Sequence, residues 1–346
     1  MTVFTCPLPM TTTETVLLGH GSGGKLSADL LRTVFLPALA NPVLERMDDQ
    51  AILELEKVRI AFTTDSFVVD PLFFPGGDIG SLAVHGTIND LAMGGARPLF
   101  LSAAFIIEEG MPIETLRRLV QSMQSAATAA GVQVVTGDTK VVQKGGADGL
   151  FINTSGIGVV PRNVQLSANQ ARPGDAVILS GSIGDHGIAI MASREGLEFE
   201  TKLESDTAPL HSLVDSMLGF ASNIRCMRDP TRGGLSSTCN EIAASSDVGI
   251  ELIERNLPIK EEVRGACEML GLDPLYVANE GKLVALVAPE IAEELTDIMR
   301  QHPLGREAQI IGKVTKDHPG LVTMRTNVGT TRIVDMLSGD QLPRIC

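Results

Sequence analysis

Two rhythms of apolar and polar positions run along this chain. "AILEL" and "VRIAFTTDSF" are short runs rich in apolar and β-branched residues and read as strands, and "LFLSAAFIIEE" reads the same way. Between them, "DIGSLAVHGTINDLAMGG" predicts a helix closed by glycines. From Pro112 onward Ile113, Leu116, Val120, Met123, Ala127 and Ala130 recur at steps of three and four, an apolar stripe that Gly131 ends. "VQVVTGDTKVV" and "LFINTSGIGVV" return to strand character.

Around "PRNVQLSANQARPGD" the pattern lapses into Pro, Asn, Ser and Gly, then resumes with "AVILSG", "GIELIE" and "KLVALVAPE". This places a domain boundary near residue 163, dividing residues 1–163 from 164–337. Each half mixes strands with helices of similar length, so each is expected to be a layered α/β (α+β) unit. "LSGDQLPRIC" has turn formers and no period, and residues 338–346 are expected to be a mobile tail carrying Cys346.

Composition narrows the function. A chain of 346 residues with 44% hydrophobic content can bury two domain cores. Its apolar runs fall well short of the ~20 residues a bilayer span needs, and "MTVFTCPLPM" has neither a basic nor an apolar leader region. The cysteines Cys6, Cys226, Cys239, Cys267 and Cys346 are scattered, without a C-x-x-C pair, as free thiols of a reducing cytoplasm would be. A net charge of −14 and 3% aromatic residues leave little means of neutralising phosphates or stacking bases, so no nucleic-acid partner is expected.

Candidate chemistry gathers in a few segments. "GHGSGGKL" nearly spells a phosphate loop, but Leu26 stands where the metal-binding hydroxyl belongs, so a flexible loop or an active-site flap remains. Four acidic segments follow: "MDDQA" (Asp48, Asp49), "TTDSF" (Asp65), "TINDLA" (Asn89, Asp90) and "TGDTK" (Asp138, Lys140). Singly, each Asp reads as a turn or cap residue. Jointly they do not, because Asp65 and Asp138 lie at the ends of apolar strands and Asn89 with Asp90 interrupts an otherwise small and apolar helix. Carboxylates converging on a phosphate substrate need hard cations between them, which points to Mg²⁺ with ATP. In the second half, "SGSIGDHG" (Asp185, His186), "RDPTRGGL" (Asp229, Arg232, Gly233, Gly234) and "NEGK" (Glu280) are polar, Gly-rich turns, readable as tight turns or as an anion site at a helix start.

Those residues carry a resemblance. "TTDSFVVDPLFFPGGDIG", "GTINDLAMGGARP", "TGDTKVV", "GDHG", "DPTRGG", "NEGKL" and the final "PRIC" together look like the [NiFe]-hydrogenase maturation factors of the HypE family, in the aminoimidazole-ribonucleotide synthetase (PurM-like) superfamily. The likeness implies a two-domain PurM-like fold and a homodimer paired through its N-terminal domains. It implies Mg²⁺ held by Asp49, Asp65, Asp90 and Asp138, and ATP held by these with Asn89 and Thr139, Asp48 being the other candidate at the first position. It implies that the Cys346 thiol receives a carbamoyl group from a carbamoyltransferase, HypF. ATP-driven loss of water then leaves a thiocyanate, whose cyanide passes to iron on a HypC–HypD complex. By the same likeness Glu280 is the base and Lys140 stabilises the phosphorylated oxygen. Two competing readings are a superfamily ATP enzyme acting on a small molecule, resembling selenophosphate or aminoimidazole-ribonucleotide synthetase, and a carrier without catalysis of its own. The first has no use for Cys346, and the second none for the aspartates.

Overall fold

A computed structural model describes residues 16–39, 41–195, 203–339, 342 and 344–346. Cys6, near the chain start, and Pro343, in the tail segment, lie outside the described residues. The first α-helices among the described residues are α1 (Lys25–Leu30) and α2 (Leu36–Leu39), joined by a π turn, and none of these residues is buried.

Strands β1 (Ala51–Leu55), β2 (Val58–Phe67), β5 (Arg97–Glu108), β6 (Gln133–Val142) and β7 (Leu150–Val159) form one sheet in the order β1-β2-β7-β5-β6, and β3 (Phe73–Phe74) and β4 (Gly77–Asp78) make a separate ribbon. Helices α3 (Ile79–Met93) and α4 (Ile113–Ala129) belong to this half. Asp78 caps α3, accepting from the backbone N–H groups of Gly80 at 2.8 Å and Ser81 at 3.0 Å. Helix α3 is apolar around most of its circumference because the sheet, α4 and a helix of the second half cover it together.

Alternation sorts the sheet into two faces. Ala61, Thr63, Asp65 and Phe67 of β2 point toward α3, while Phe62, Thr64 and Ser66 point away. The far face carries no layer of this chain among the described residues: Phe62, Ile157 and Phe100 lie in register across three strands, and all three are exposed. Strand β6, parallel to β5 at the sheet edge, is exposed from Gln133 to Val141.

The stripe expected on α4 is turned from the one the chain uses. Ile113 and Val120 are exposed, whereas Leu119, Met123, Ala126 and Ala127 are buried, since a period of 3.6 lets the contact line pass through 119 and 126.

The second half is a seven-stranded sheet in the order β14-β13-β10-β12-β8-β11-β9. Its strands are β8 (Ala176–Leu179), β9 (Ile224–Arg228), β10 (Gly249–Ile253), β11 (Val284–Val287), β12 (Gln309–Thr315), β13 (Val322–Arg325) and β14 (Thr331–Val334). Helices α5 (Asp185–Glu195), α6 (His211–Met217), α7 (Gly234–Ser246), α8 (Glu261–Leu270) and α9 (Ala292–Gln301) accompany it. Strands β8 and β11 are buried at every residue, as continuous apolar runs require.

The halves share a core in which Leu91, Met93 and Val164 pack with Leu213, Met217 and Leu283. Asn89 bridges them as well, donating to the carbonyls of Ala208 and Glu280 at 3.1 Å each and accepting from Leu210 N–H at 2.7 Å. The tail does not hang free in this structure: Ile345 and Cys346 are buried among Phe67, Val69, Ile190 and Ala278.

Candidate active site

The site forms where the α3 face of the first sheet meets the loops of the second half. Asp65 comes from β2 and Asp90 from α3, where it accepts from the Thr63 hydroxyl at 2.7 Å. Asp49, ahead of β1, pairs with Arg228 at 2.6 Å, and Asp229 follows Arg228 at the end of β9. Burial, and then Asp229, Asp65 and Asp49 in that order, hold the Asp90 carboxyl well above the usual range. Burial pushes Asp49 up to about 6 against the pull of Arg228, and burial with Asp49 pushes Asp229 up to about 8. Asp65 is raised by burial and partly relieved by Arg232, which lies 3.8 Å away.

The two neighbouring aspartates have different partners. Asp48 accepts from the Ser167 hydroxyl and the Ala168 N–H, so it fastens the connection between the halves. Asp49 is the one that turns into the carboxylate group. Asn89 spends its amide on backbone partners and is a tie between halves here.

Glu280 is 2% exposed, and its Oε1 has no hydrogen-bond partner. Burial, then Asp229, Asp65 and Asp206, raise its carboxyl well above the usual range, with Arg232 opposing. Its loop is clamped by Asp206, which accepts from the N–H groups of Glu280 and Gly281 and from Lys282 Nζ, each at 3.1 Å. A Cβ on Gly281 would stand 1.8 Å from the Asp206 carbonyl, so only glycine allows this approach. Burial alone would raise Asp206, but Lys282, His186 and the Glu280 N–H outweigh it and keep this carboxylate ionised.

The Cys346 thiol lies within the electrostatic reach of Arg232, Glu280, Asp65 and Asp229. Burial drives its pKa far up, the carboxylates add to this, and Arg232 only partly opposes them, so the docked thiol is neutral. Arg344 does not supply the cation beside this sulfur. Its guanidinium is committed to the Val68 carbonyl at 3.0 Å and to Asp148, and the neighbouring cation is Arg232.

Asp138, Thr139 and Lys140 are not brought to this group within one chain. Asp138 is in register with Ala104, and Lys140 with Ile106, on the far face of the sheet, and the two side chains pair with each other at 2.6 Å. Thr139 lies between them on the same exposed edge strand.

The Gly-rich loop does not stand open as a phosphate cradle. Ser22 donates to the Gly339 carbonyl at 2.8 Å, Lys25 N–H donates to Leu337 O at 2.9 Å, and Lys25 Nζ pairs with Asp335, which straps the loop across the root of the tail. Arg228, Asp206 and Ser205 escaped the sequence reading: Arg228 opens the segment "RDPTRGGL" without being singled out, and the others lie in an unpatterned loop.

The donors fit a hard cation. All are carboxylate oxygens that repel one another, and a Mg²⁺ held by one or two of them with phosphate and water would relieve that repulsion. Among the described residues no group of three or more His, Cys, Asp or Glu side chains is drawn together as a closed metal cage.

Comparison with known proteins agrees with this architecture. The AIR synthase related protein family matches in two pieces, its N-terminal domain over residues 47–160 and its C-terminal domain over residues 172–324. Carbamoyl dehydratase HypE of Azotobacter vinelandii is 59% identical over 94% of this chain and 96% of its own length. A solved hydrogenase maturation protein HypE in complex with ATP superposes with a TM-score of 0.81 at 48% identity, covering 96% of this chain and all 100% of that one. A HypE–HypF complex gives 0.85 at 51% identity, covering 89% of this chain and 99% of the matched chain. By its two matched domains and by identity over nearly its whole length, the chain belongs to the HypE family of carbamoyl dehydratases of hydrogenase maturation.

Proposed function

We propose that this carbamoyl dehydratase works on its own Cys346, converting an S-carbamoyl group to a thiocyanate at the expense of ATP. The observation that carries the reading is the burial of Cys346 beside Glu280, whose Oε1 lacks a partner, and beside Arg232. ATP binding is supported by the ATP complex of the 48% identical relative, and Asp49, Asp65 and Asp90 are the residues that would receive it here. Asp49, Asp65 and Asp90 would hold Mg²⁺, which would supply charge neutralisation at the phosphates.

The carbamoyl oxygen attacks the γ-phosphorus and ADP leaves. Phosphorylation turns a poor leaving group into a good one. Glu280 accepts a proton from the carbamoyl nitrogen, and the departing phosphate carries off the second N–H proton as the C–O bond breaks. The C–N bond becomes the nitrile, so one carbamoyl group and one ATP give one thiocyanate, ADP and phosphate. Arg232, beside the sulfur, offsets the negative charge that gathers on the transferring oxygens.

Asp138, Thr139 and Lys140 join from a second copy. The open far face with its Phe62–Ile157–Phe100 row and the exposed edge strand β6 suit a homodimer paired through the first sheets, each chain lending Lys140 to its partner's site. The nucleophilic thiolate that loading requires is disfavoured in the docked position, so loading belongs to an undocked tail. HypF, found in complex with the 51% identical relative, is the loading partner, and a HypC–HypD complex receives the cyanide. Residues 1–163, 164–337 and 338–346 are the corresponding functional units.

Phosphate release tests this reading. The chain should release phosphate from ATP in step with loss of water from the carbamoylated protein, and Cys346→Ala should bind ATP yet release none in response to loading. Equal phosphate release by Cys346→Ala would return the site to a small-molecule substrate.

A further inference from the structure

The last residues are held by contacts at each step. Val68 N–H donates to Cys346 O at 2.9 Å and Asp70 N–H to Arg344 O at 3.2 Å, so the tail pairs its backbone with the segment that follows β2. Between these bonds, His186 Nε2 lies 2.7 Å from Ile345 O. A carbonyl can only accept, so Nε2 carries the proton, and Nδ1 accepts from the Ser205 hydroxyl at 2.7 Å. Ser205 in turn accepts from Thr207 N–H at 3.1 Å, which completes a relay fixing the imidazole tautomer. Outside, Arg344 spans the Val68 carbonyl and Asp148, and its own carbonyl receives Arg194 at 3.0 Å.

We propose that His186 is a positioning residue for the dehydration, and that with the Arg344–Asp148 pair it forms a latch holding Cys346 against Glu280. His186 grips the carbonyl adjoining the reactive residue, whose buried thiol lies within the electrostatic reach of Glu280 and Arg232. The outer pair grips the neighbouring side chain at the surface, where its release costs little. Buried His186 sets the geometry, and exposed Arg344–Asp148 governs how readily the tail leaves for loading. The grip on backbone and on Arg344 is independent of the sulfur substituent, so the same latch accepts thiol, carbamoyl and thiocyanate forms. This rests on Cys346 being the carrier.

The test uses the full chain and begins without partner or ATP. Trypsin cuts after Arg344 only when the tail is free, and intact mass reports loss of the Ile345–Cys346 segment. His186→Phe and Asp148→Ala should each speed this cut about fivefold to tenfold, the loss expected when a bond of that kind is removed. His186→Gln, which keeps a donor near the Nε2 position, should stay near wild type. In the carbamoylated protein with ATP, His186→Phe should lower the dehydration rate while ATP affinity is unchanged, and His186→Gln should restore it. Unchanged cleavage in both His186→Phe and Asp148→Ala overturns the latch. A His186→Gln as slow as His186→Phe overturns the positioning role. Normal latch behaviour in a protein whose Cys346 is never carbamoylated would uphold the latch and remove the carrier reading.

Discussion

At the scale of single residues the site is a set of acids held above their usual pKa. A raised folded-state pKa means that the folded chain binds protons more tightly than the unfolded one, so the stability these groups contribute is present in acid and lost as pH rises. For Asp49 and Asp229, raised to about 6 and about 8, the loss runs from the ordinary carboxylate range up to those values. The ligand-free thermal midpoint should therefore fall between pH 5 and 8. Asp229→Asn should flatten the fall and ATP with Mg²⁺ should reverse it; a midpoint that climbs over this range would contradict the assignment. Glu280→Gln should slow dehydration by about 10²- to 10⁴-fold, the scale of a lost general base, and let carbamoylated Cys346 accumulate. Conversion at the normal rate would remove Glu280 from that role. Asp65 and Asp90 stand out in the sequence because one ends a strand and the other interrupts an apolar helix, whereas Glu280 and Cys346 stand out through the family resemblance of "NEGK" and "PRIC". Asp206 was not, because its value comes from amides 74 and 75 residues away that only the fold brings near.

At the scale of elements, strands and the long helix α3 could be read from composition, yet which face of each would be covered could not. Helix α4 illustrates this, since Val120 and Leu119 are both apolar neighbours and only packing against α3 selects the second. The far face of the first sheet is a similar case: Phe62, Phe100 and Ile157 look like core residues in sequence and are exposed. Ile157→Lys at the middle of that row should convert a dimer to a monomer in sedimentation and, by withdrawing the partner's Lys140, cut dehydration at least about tenfold while leaving the far-UV spectrum intact. A variant that stays dimeric would exclude this face as the interface. Asp78→Ala, which removes the side chain that accepts from two backbone N–H groups at the start of α3, should cost about 1 kcal/mol in denaturant unfolding.

At the scale of the whole molecule, one thiol serves two environments. Docked, it is neutral, buried and within electrostatic reach of Glu280; loading needs it ionised and accessible. The root of the tail is strapped by Ser22 and Lys25, while the nine residues from Ser338 to Cys346 span roughly 30 Å when extended, so the arm can leave without disturbing either sheet. The docked form was not legible in "LSGDQLPRIC", whose turn formers give no period, because its partners are backbone groups of Val68 and Asp70 and the ring of His186. No helix among the described residues is long and apolar enough to cross a membrane, and the arm's reach is the motion the account requires. The most direct test is an intact-mass time course of the full chain with its carbamoyl-loading partner and ATP. Cys346 should gain a carbamoyl group first and then lose water only when ATP is present. Water loss without ATP, or any such modification persisting in Cys346→Ala, would contradict the account.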